Sequence, residues 1–171
     1  MFQNHDTLSD SGRTPPTARG RPQGEQAIAL VSKHPFSTAP LCSTVRAFLI
    51  TSVVLNGQTL HLAAIHLHWP WPAPSAGAEQ ETWAALAALD GLVVLAGDFN
   101  AFPWSTRMRR IRAVTGSAGV GPLLRTLHHD ALPVALPIDH VLAPRGGRVT
   151  IRPLLGSDHK GIVAHVHIPE G

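Results

Sequence analysis

The sequence predicts an α+β domain in which β-sheets pack on each other. Three observations favour this class: most apolar runs are only as long as a strand, an Asn56-Gly57 pair separates two of them, and few segments have a helical composition. Gly and Pro together make up 15 + 15 = 30 of 171 residues, which is above the usual fraction of about 12%. This excess indicates many turns and argues against a helical bundle, a coiled coil or a long helical repeat.

Residues 1–24 are predicted to be a disordered tail, and residues 25–171 to form one folded domain. The tail is rich in Ser, Thr, Pro, Gly, Gln and Arg and contains almost no apolar residues. The first ordered element is expected at Ala27–Ser32, a continuous apolar run that indicates a buried strand.

A β-hairpin is predicted around Asn56-Gly57, because this pair is the strongest short signal of a two-residue turn. Its strands are expected at Val45–Leu55 and Thr59–Leu67. The later elements are predicted in this order: a helix at Ala78–Leu89, a strand at Leu92–Ala96, a short basic helix at Trp104–Val114, an irregular segment at 115–137, and strands at Ile138–Leu142, Arg148–Leu154 and Ile162–Ile168.

Charge and composition limit the partners and the compartment. The formal net charge is +3 and the isoelectric point is about 10.0, which mildly favours anionic partners such as phosphates without the dense basic field of a dedicated nucleic-acid binder. Cys42 is the single cysteine, so a disulfide framework and a cysteine-based zinc site are excluded. Since no apolar run is long enough for a membrane helix and the N-terminus lacks the apolar core of a signal peptide, we expect a cytoplasmic chain without membrane insertion.

Polar side chains stand where an apolar strand is predicted to end, in the segment Gly97-Asp98-Phe99-Asn100. Asp98 and Asn100 can face the same side, because side chains alternate along a strand. The carboxylate can bind a hard cation or orient water, and the amide can donate to an anion. The alternative is an ordinary turn in which both side chains cap their own backbone.

A second acid lies inside an apolar strand, at Asp139 in the segment Ile138-Asp139-His140-Val141. Because a buried carboxylate needs a partner, His159 is expected to pair with it and to become a more basic imidazole. Asp158, next to His159, can supply a metal ligand beside a proton-transfer group. A polar turn before the last strand is the alternative interpretation.

Two further groups leave alternatives open. Arg107 belongs to a run of arginines after Asn100, which is either a solvated helix face or a source of phosphate contacts. His66 and His68 share a strand face, as a zinc-binding pair would. A zinc hydrolase is therefore a competing hypothesis for the function.

These motifs together resemble the endonuclease/exonuclease/phosphatase superfamily. The order is a strand ending in Ser32-Lys33-His34-Pro35, a strand ending in His66, then Gly97–Asn100, Ile138–Val141 and Ser157–His159. The resemblance implies a four-layer α/β sandwich, with two mainly antiparallel sheets face to face and the site at one rim. It also implies hydrolysis of a phosphoester by in-line attack of water, assisted by Mg²⁺ or Mn²⁺.

The resemblance implies a role for each matching residue. His66 would contact the phosphate or help to protonate the leaving group, and Asp98 would position or deprotonate the nucleophile and contribute to the metal site. Asn100 would bind a phosphoryl oxygen. Arg107 is a candidate substrate contact on a separate ground, its place in the arginine run beside this site. Asp139 would be the partner of the catalytic His159, and Asp158 would be an acid of the metal site.

One departure from the superfamily concerns the N-terminus. Full members begin with a strand carrying an Asn, a helix and a strand ending in a Glu that is the main metal ligand. Here only the polar tail precedes the strand at residues 27–32. We therefore expect an N-terminally truncated member whose first strands are missing. The substrate is expected to be a phosphoester, with nucleic acid, a lipid headgroup and a sugar phosphate all open; an inactive remnant that binds anions or a partner is the alternative.

Overall fold

The structure is a computed structural model that describes residues 17–19, 28–44, 47–70, 76–128, 133–154 and 156–169. Its elements follow in chain order: β1 (Thr17–Arg19), β2 (Ala29–Val31), β3 (Leu41–Cys42), β4 (Phe48–Leu55), β5 (Gln58–His66), α1 (Ala76–Ala87), β6 (Leu92–Asp98), α2 (Thr106–Thr115), β7 (Ala118–Gly119), β8 (Asp139–Ala143), β9 (Gly147–Leu154) and β10 (Lys160–Val166).

Six strands form the main sheet, in the order β3-β4-β5-β6-β8-β7. All neighbours are antiparallel except β5 and β6, which run parallel with α1 as the connection. The predicted hairpin is confirmed as β4 and β5. Asn56 and Gly57 have φ angles of 50° and 78°, which is the positive-φ turn that matches the twist of two antiparallel strands.

Each face of the main sheet carries its own apolar core. One face packs against the two helices, through residues such as Ile65, Leu95 and Trp83. The other face packs against β2 and the β9–β10 pair, through residues such as Leu62 and Val94. Adjacent residues on β6 thus serve opposite cores, as the period of two along a strand requires.

Helix α2 has clear local signals at both ends. The Ser105 side chain caps its first turn by accepting a hydrogen bond from the Met108 N–H at 3.2 Å. Gly116 follows its last residue with a φ of 61°, a left-handed conformation that favours glycine. The sequence located this helix to within two residues for that reason.

The second sheet is present as two separate pairs, β1–β2 and β9–β10, both antiparallel. Two helices, the main sheet and these pairs make a mixed α/β sandwich, so the predicted fold class is confirmed. Within the described ranges, three of the four expected layers are seen: the helices, the main sheet and the strand pairs. Both described helices pack on the main sheet, so neither covers the outer face of the strand pairs.

A short strand lies within the segment predicted as a tail. Thr17–Arg19 form β1 and pair with Ala29–Val31, although they show no apolar pattern of their own. A strand of this kind is fixed by backbone hydrogen bonds to a neighbour, which propensity does not report. The other tail residues, 1–16 and 20–24, lie outside the described residues. The segment predicted as irregular, 115–137, contains the short strand β7.

None of the described helices has the length and apolar character needed to cross a membrane.

Candidate active site

Three polar side chains form one row across the rim of the main sheet. His66 on β5 is in register with Asp98 on β6, and Asp98 is in register with Asp139 on β8. Residues that are paired across strands project from the same face of a sheet. All three line a cavity of about 350 Å³ between this face and β2, together with His159. The row brings His66 Nε2 to 4.0 Å from Asp98 Oδ2.

Gly97 lets two strand ends approach closely enough to form this row. Its φ is 141°, and a Cβ at this position would overlap the carbonyl oxygen of Ile65 on the neighbouring strand. Only glycine fits such a contact without moving the backbone. After Asp98 the chain turns sharply, with a φ of 44° at Asn100. The Asn100 N–H then donates to Asp98 Oδ1 at 2.7 Å, which fixes the carboxylate.

The predicted pairing of Asp139 with His159 is confirmed. His159 Nδ1 lies 2.8 Å from Asp139 Oδ2. The loop that carries His159 is attached to residues 126–128 by backbone bonds, from Lys160 N–H to the Thr126 carbonyl at 2.9 Å and from His128 N–H to the Asp158 carbonyl at 2.8 Å. The irregular part of the chain therefore positions the histidine.

The environment shifts the pKa values of three groups in the cavity. Burial raises the pKa of Asp98 from 3.8 to about 6, with Asp139 adding to the effect and the Asn100 N–H opposing it. Burial, with the neighbouring His68 and His159, lowers the pKa of His66. The hydrogen bond to Asp139 raises the pKa of His159. At neutral pH the cavity thus holds a relatively basic carboxylate, a neutral imidazole and an imidazole that gains a proton readily.

The profile of the endonuclease/exonuclease/phosphatase family matches residues 2–159 of this sequence. The chain belongs to the endonuclease/exonuclease/phosphatase family. The matched range begins inside the segment that the sequence analysis separated as a tail. No curated protein sequence matches this chain.

Solved structures of a family member and of two other proteins share this fold. An endonuclease/exonuclease/phosphatase family protein from Leptotrichia buccalis is similar at a TM-score of 0.61 and 14% identity, over 89% of this chain and 70% of that one. D. rerio TDP2 complexed with single strand DNA product is similar at 0.57 and 18% identity, over 88% and 76%. A mutant of beta toxin from Staphylococcus aureus with bound magnesium ions is similar at 0.52 and 13% identity, over 81% and 67%.

The donor atoms at the rim fit the divalent cation that the family implies. One ligand atom each of Asp98, Asp139 and His159 lies within 4.8 Å of the other two, and no second group of this size occurs in the described part of the chain. Asp98 Oδ1 and Asp139 Oδ2 already accept hydrogen bonds. Asp98 Oδ2 and Asp139 Oδ1 remain as oxygen ligands, and Mg²⁺ is commonly held by one or two carboxylates together with a substrate phosphate.

Two residues that the family resemblance assigned to the site lie apart from this group. Asp158 is exposed and does not belong to the group of ligating side chains. Asn100 donates from Nδ2 to the Leu67 carbonyl at 2.8 Å and lines a different cavity from Asp98. The expected alternation of Asp98 and Asn100 on one side does not occur, because β6 ends at Asp98 and the chain turns.

Arg107 is buried rather than directed toward a substrate. Its Nε donates to Glu79 Oε1 at 2.9 Å, and its second terminal nitrogen contacts the same oxygen. The remaining nitrogen donates to the carbonyls of His68 at 3.0 Å, Phe99 at 3.0 Å and Asn100 at 3.3 Å. The expected phosphate contact therefore has no support in this geometry, and Arg107 ties together the two loops that follow β5 and β6.

Sequence reasoning missed two residues that support the rim. Glu79 on α1 is the ion-pair partner of Arg107, 28 residues away, and its position in an Ala-rich helix gives no local signal. His140 projects to the helix side of the sheet, where Nε2 lies 2.8 Å from the Ala101 carbonyl. The alternation of side chains on β8 was the signal that could have separated His140 from Asp139.

The described residues do not form a zinc site around the pair of His66 and His68. His68 is exposed, and it does not join His66 in any group of three ligating side chains within the described residues.

Proposed function

We propose that this chain is a divalent-metal-dependent phosphoesterase that hydrolyses a phosphodiester by in-line attack of water. The observation that carries the proposal is the row of His66, Asp98 and Asp139 at one sheet rim, with His159 bonded to Asp139 beside it. Membership of the endonuclease/exonuclease/phosphatase family supports the reaction class.

Asp98 is the proposed base that takes a proton from the attacking water. Its pKa of about 6 leaves it ionised at neutral pH, yet more basic than an ordinary carboxylate. A general base is most effective when its pKa lies close to the working pH. The hydrogen bond from the Asn100 N–H to Oδ1 fixes the carboxylate and leaves Oδ2 to receive the proton.

His159 is the proposed donor to the phosphoryl group. Asp139 accepts from Nδ1, which leaves Nε2 for the substrate, and the raised pKa increases the protonated fraction of the ring. An imidazolium N–H stabilises the negative charge that develops on the phosphoryl oxygens. His66, which is neutral because its pKa is lowered, is the proposed contact to the phosphate or the leaving group.

Asp139 Oδ1 is the proposed carboxylate ligand of the cation, because Asp139 Oδ2 is bonded to His159 and Asp98 Oδ2 is the oxygen that receives the proton. A bound Mg²⁺ or Mn²⁺ supplies a positive charge that stabilises the anionic transition state. The beta toxin structure with bound magnesium ions supports this choice of cation in a protein of the same fold.

Nucleic acid is the proposed substrate class. The similar TDP2 structure holds a single strand DNA product, and the net charge of +3 favours a polyanion. An oligonucleotide is an extended phosphodiester that can reach a site at an open rim.

The test is turnover of bis-p-nitrophenyl phosphate with Mg²⁺, with Mn²⁺ and with EDTA. We expect metal-dependent release of p-nitrophenolate, and a loss of roughly 100-fold or more in Asp98→Ala, since a general base contributes about 10²–10⁴-fold. Asp90→Ala is the matched control, because Asp90 lies before the opposite end of the same strand. This control is expected to keep its activity within about twofold.

Absence of turnover from protein that is folded by circular dichroism would contradict the proposal. The inactive remnant would then be the better description of the chain.

A further inference from the structure

A second cavity of about 350 Å³ lies on the helix side of the main sheet, next to the row of catalytic residues. We name it the aromatic pocket, after Trp69, Trp83 and Phe102 in its lining; Asn100 and Arg110 also line it. It is separate from the cavity that His66, Asp98, Asp139 and His159 line, and the two share no lining residue. Its volume is within the ~300–1,000 Å³ range of small-molecule sites.

Two of the three aromatic side chains at this pocket, Trp69 and Phe102, are only partly covered by protein, whereas Trp83 is buried. Trp69 is 42% exposed on the loop after β5. Phe102 is stacked on Trp104, with the ring centroids 5.2 Å apart and the rings nearly parallel. An indole that remains in contact with water retains an unused apolar face, and such faces stack readily on planar rings.

The pocket also carries a positive charge. The Arg110 guanidinium lies 5.4 Å from the centroid of the Trp83 ring, and the Arg110 side chain is exposed. Glu79 and Arg107 also line the pocket, but they form an ion pair with each other. Arg110 therefore gives the lining a net positive charge, and aromatic walls with such a charge suit a planar ring that is joined to an anion. A long aliphatic chain would match the walls but would gain nothing from the guanidinium.

Asn100 connects the pocket to the catalytic cavity. Its N–H holds Asp98 Oδ1 at 2.7 Å, while its side chain lines the aromatic pocket. A substrate whose phosphoryl group is at Asp98 therefore has a neighbouring place for a substituent.

We propose that the aromatic pocket binds a planar aromatic ring carried by the phosphoester substrate, with Trp69 as the stacking residue. The inference rests on the proposed function, because it takes the phosphoryl group to lie at Asp98. A nucleobase and an aryl ring attached directly to the ester oxygen are the two sources of such a ring, and phenylphosphonate is a stable mimic of the second.

The test compares anions that differ in their ring. Isothermal titration calorimetry in Mg²⁺ buffer is used to measure the affinity of methylphosphonate, phenylphosphonate and thymidine 5′-monophosphate. We expect at least one ring-bearing anion to bind roughly tenfold more tightly than methylphosphonate, as stacking on one aromatic side chain gives. Preference for the nucleotide identifies a nucleobase, and preference for phenylphosphonate identifies a directly attached ring.

Three variants link the preference to the pocket. Trp69→Ala should remove the preference, and Trp69→Phe should retain most of it because a stacking ring remains. Leu123→Ala is the control, since Leu123 is 50% exposed and does not line the aromatic pocket. It should leave the preference in place.

Equal affinity for all three anions, or a preference that survives Trp69→Ala, would overturn the inference. The two proposals fail separately. Turnover of bis-p-nitrophenyl phosphate without any ring preference rejects the aromatic pocket alone, and a Trp69-dependent preference without turnover rejects the proposed reaction alone.

Discussion

Asp139 and His140 are neighbours in sequence but serve opposite faces of the main sheet. Asp139 lines the catalytic cavity and binds His159. His140 lies on the helix side, near the Phe99 ring and the Ala101 carbonyl. Because side chains alternate on β8, one dipeptide both supplies a site residue and holds the loop that follows Asp98.

The charge of Asp139 is expected to control the protonation of His159. Asp139→Asn should lower the pKa of His159, because the hydrogen bond to the carboxylate is the largest cause of its rise. A titration followed by NMR of the imidazole resonances measures this pKa. Asp158→Asn is the matched control: Asp158 is adjacent to His159 but contributes least among the causes of the shift.

A larger fall of the His159 pKa in Asp158→Asn than in Asp139→Asn would show that the pairing of His159 with Asp139 does not set its protonation.

At the scale of elements, α2 fixes the two loops that end β5 and β6. Its residue Arg107 is 9% exposed and bonds to Glu79 on α1 and to three loop carbonyls. The neighbouring Arg109 is exposed, and its hydrogen bonds to the Trp104 carbonyl and the Thr106 hydroxyl are local. Two arginines on one helix thus have different roles that their sequence context does not distinguish.

Arg107→Gln is expected to lower the free energy of unfolding by about 3 kcal/mol, because removing one partner of a buried ion pair leaves the other charge and several acceptors unsatisfied. Urea denaturation measures the change. Arg109→Gln should stay within about 0.5 kcal/mol of the parent protein, as an exposed substitution does. Equal effects of the two substitutions would contradict the bracing role of Arg107.

At the scale of the whole molecule, the ionised carboxylate of Asp98 opposes folding. The pKa of Asp98 rises from 3.8 to about 6 on folding, and each unit corresponds to about 1.4 kcal/mol, so its ionisation costs up to about 3 kcal/mol near pH 7. Below pH 3.8 the carboxyl is protonated in both the folded and the unfolded state, so this cost is absent. Above pH 6 it is ionised in both states, so the cost is complete.

Asp98→Asn should therefore stabilise the metal-free protein by about 1–3 kcal/mol at pH 7. The gain should shrink as the pH falls from 6 toward 4, where Asp98 of the parent protein becomes protonated. Urea denaturation in EDTA across this range measures the effect, with Asp90→Asn as the control. A variant that is less stable than the parent at pH 7 would show that Asp98 contributes favourably to folding.

Much of the fold was predictable because its signals are local. The Asn56-Gly57 turn, the Ser105 cap with Gly116, and the apolar run that became β6 each depend on residues close in sequence. β1 was not predictable, because three residues without an apolar pattern are ordered by pairing with a strand further along the chain.

The amino-acid sequence by itself determined the fold class, the family resemblance and the three residues that form the row at the sheet rim. His66, Asp98 and Asp139 end or begin apolar strands, and this pattern is visible without coordinates. The tertiary structure alone decided which of the candidates share the cavity. It confirmed the predicted pair of His159 and Asp139, and it directed Asn100 and Arg107 to other partners. These placements depend on strand register, on the turn after Asp98, and on contacts between residues that are 28 to 39 positions apart. Such distant contacts leave no periodic signal in a single sequence.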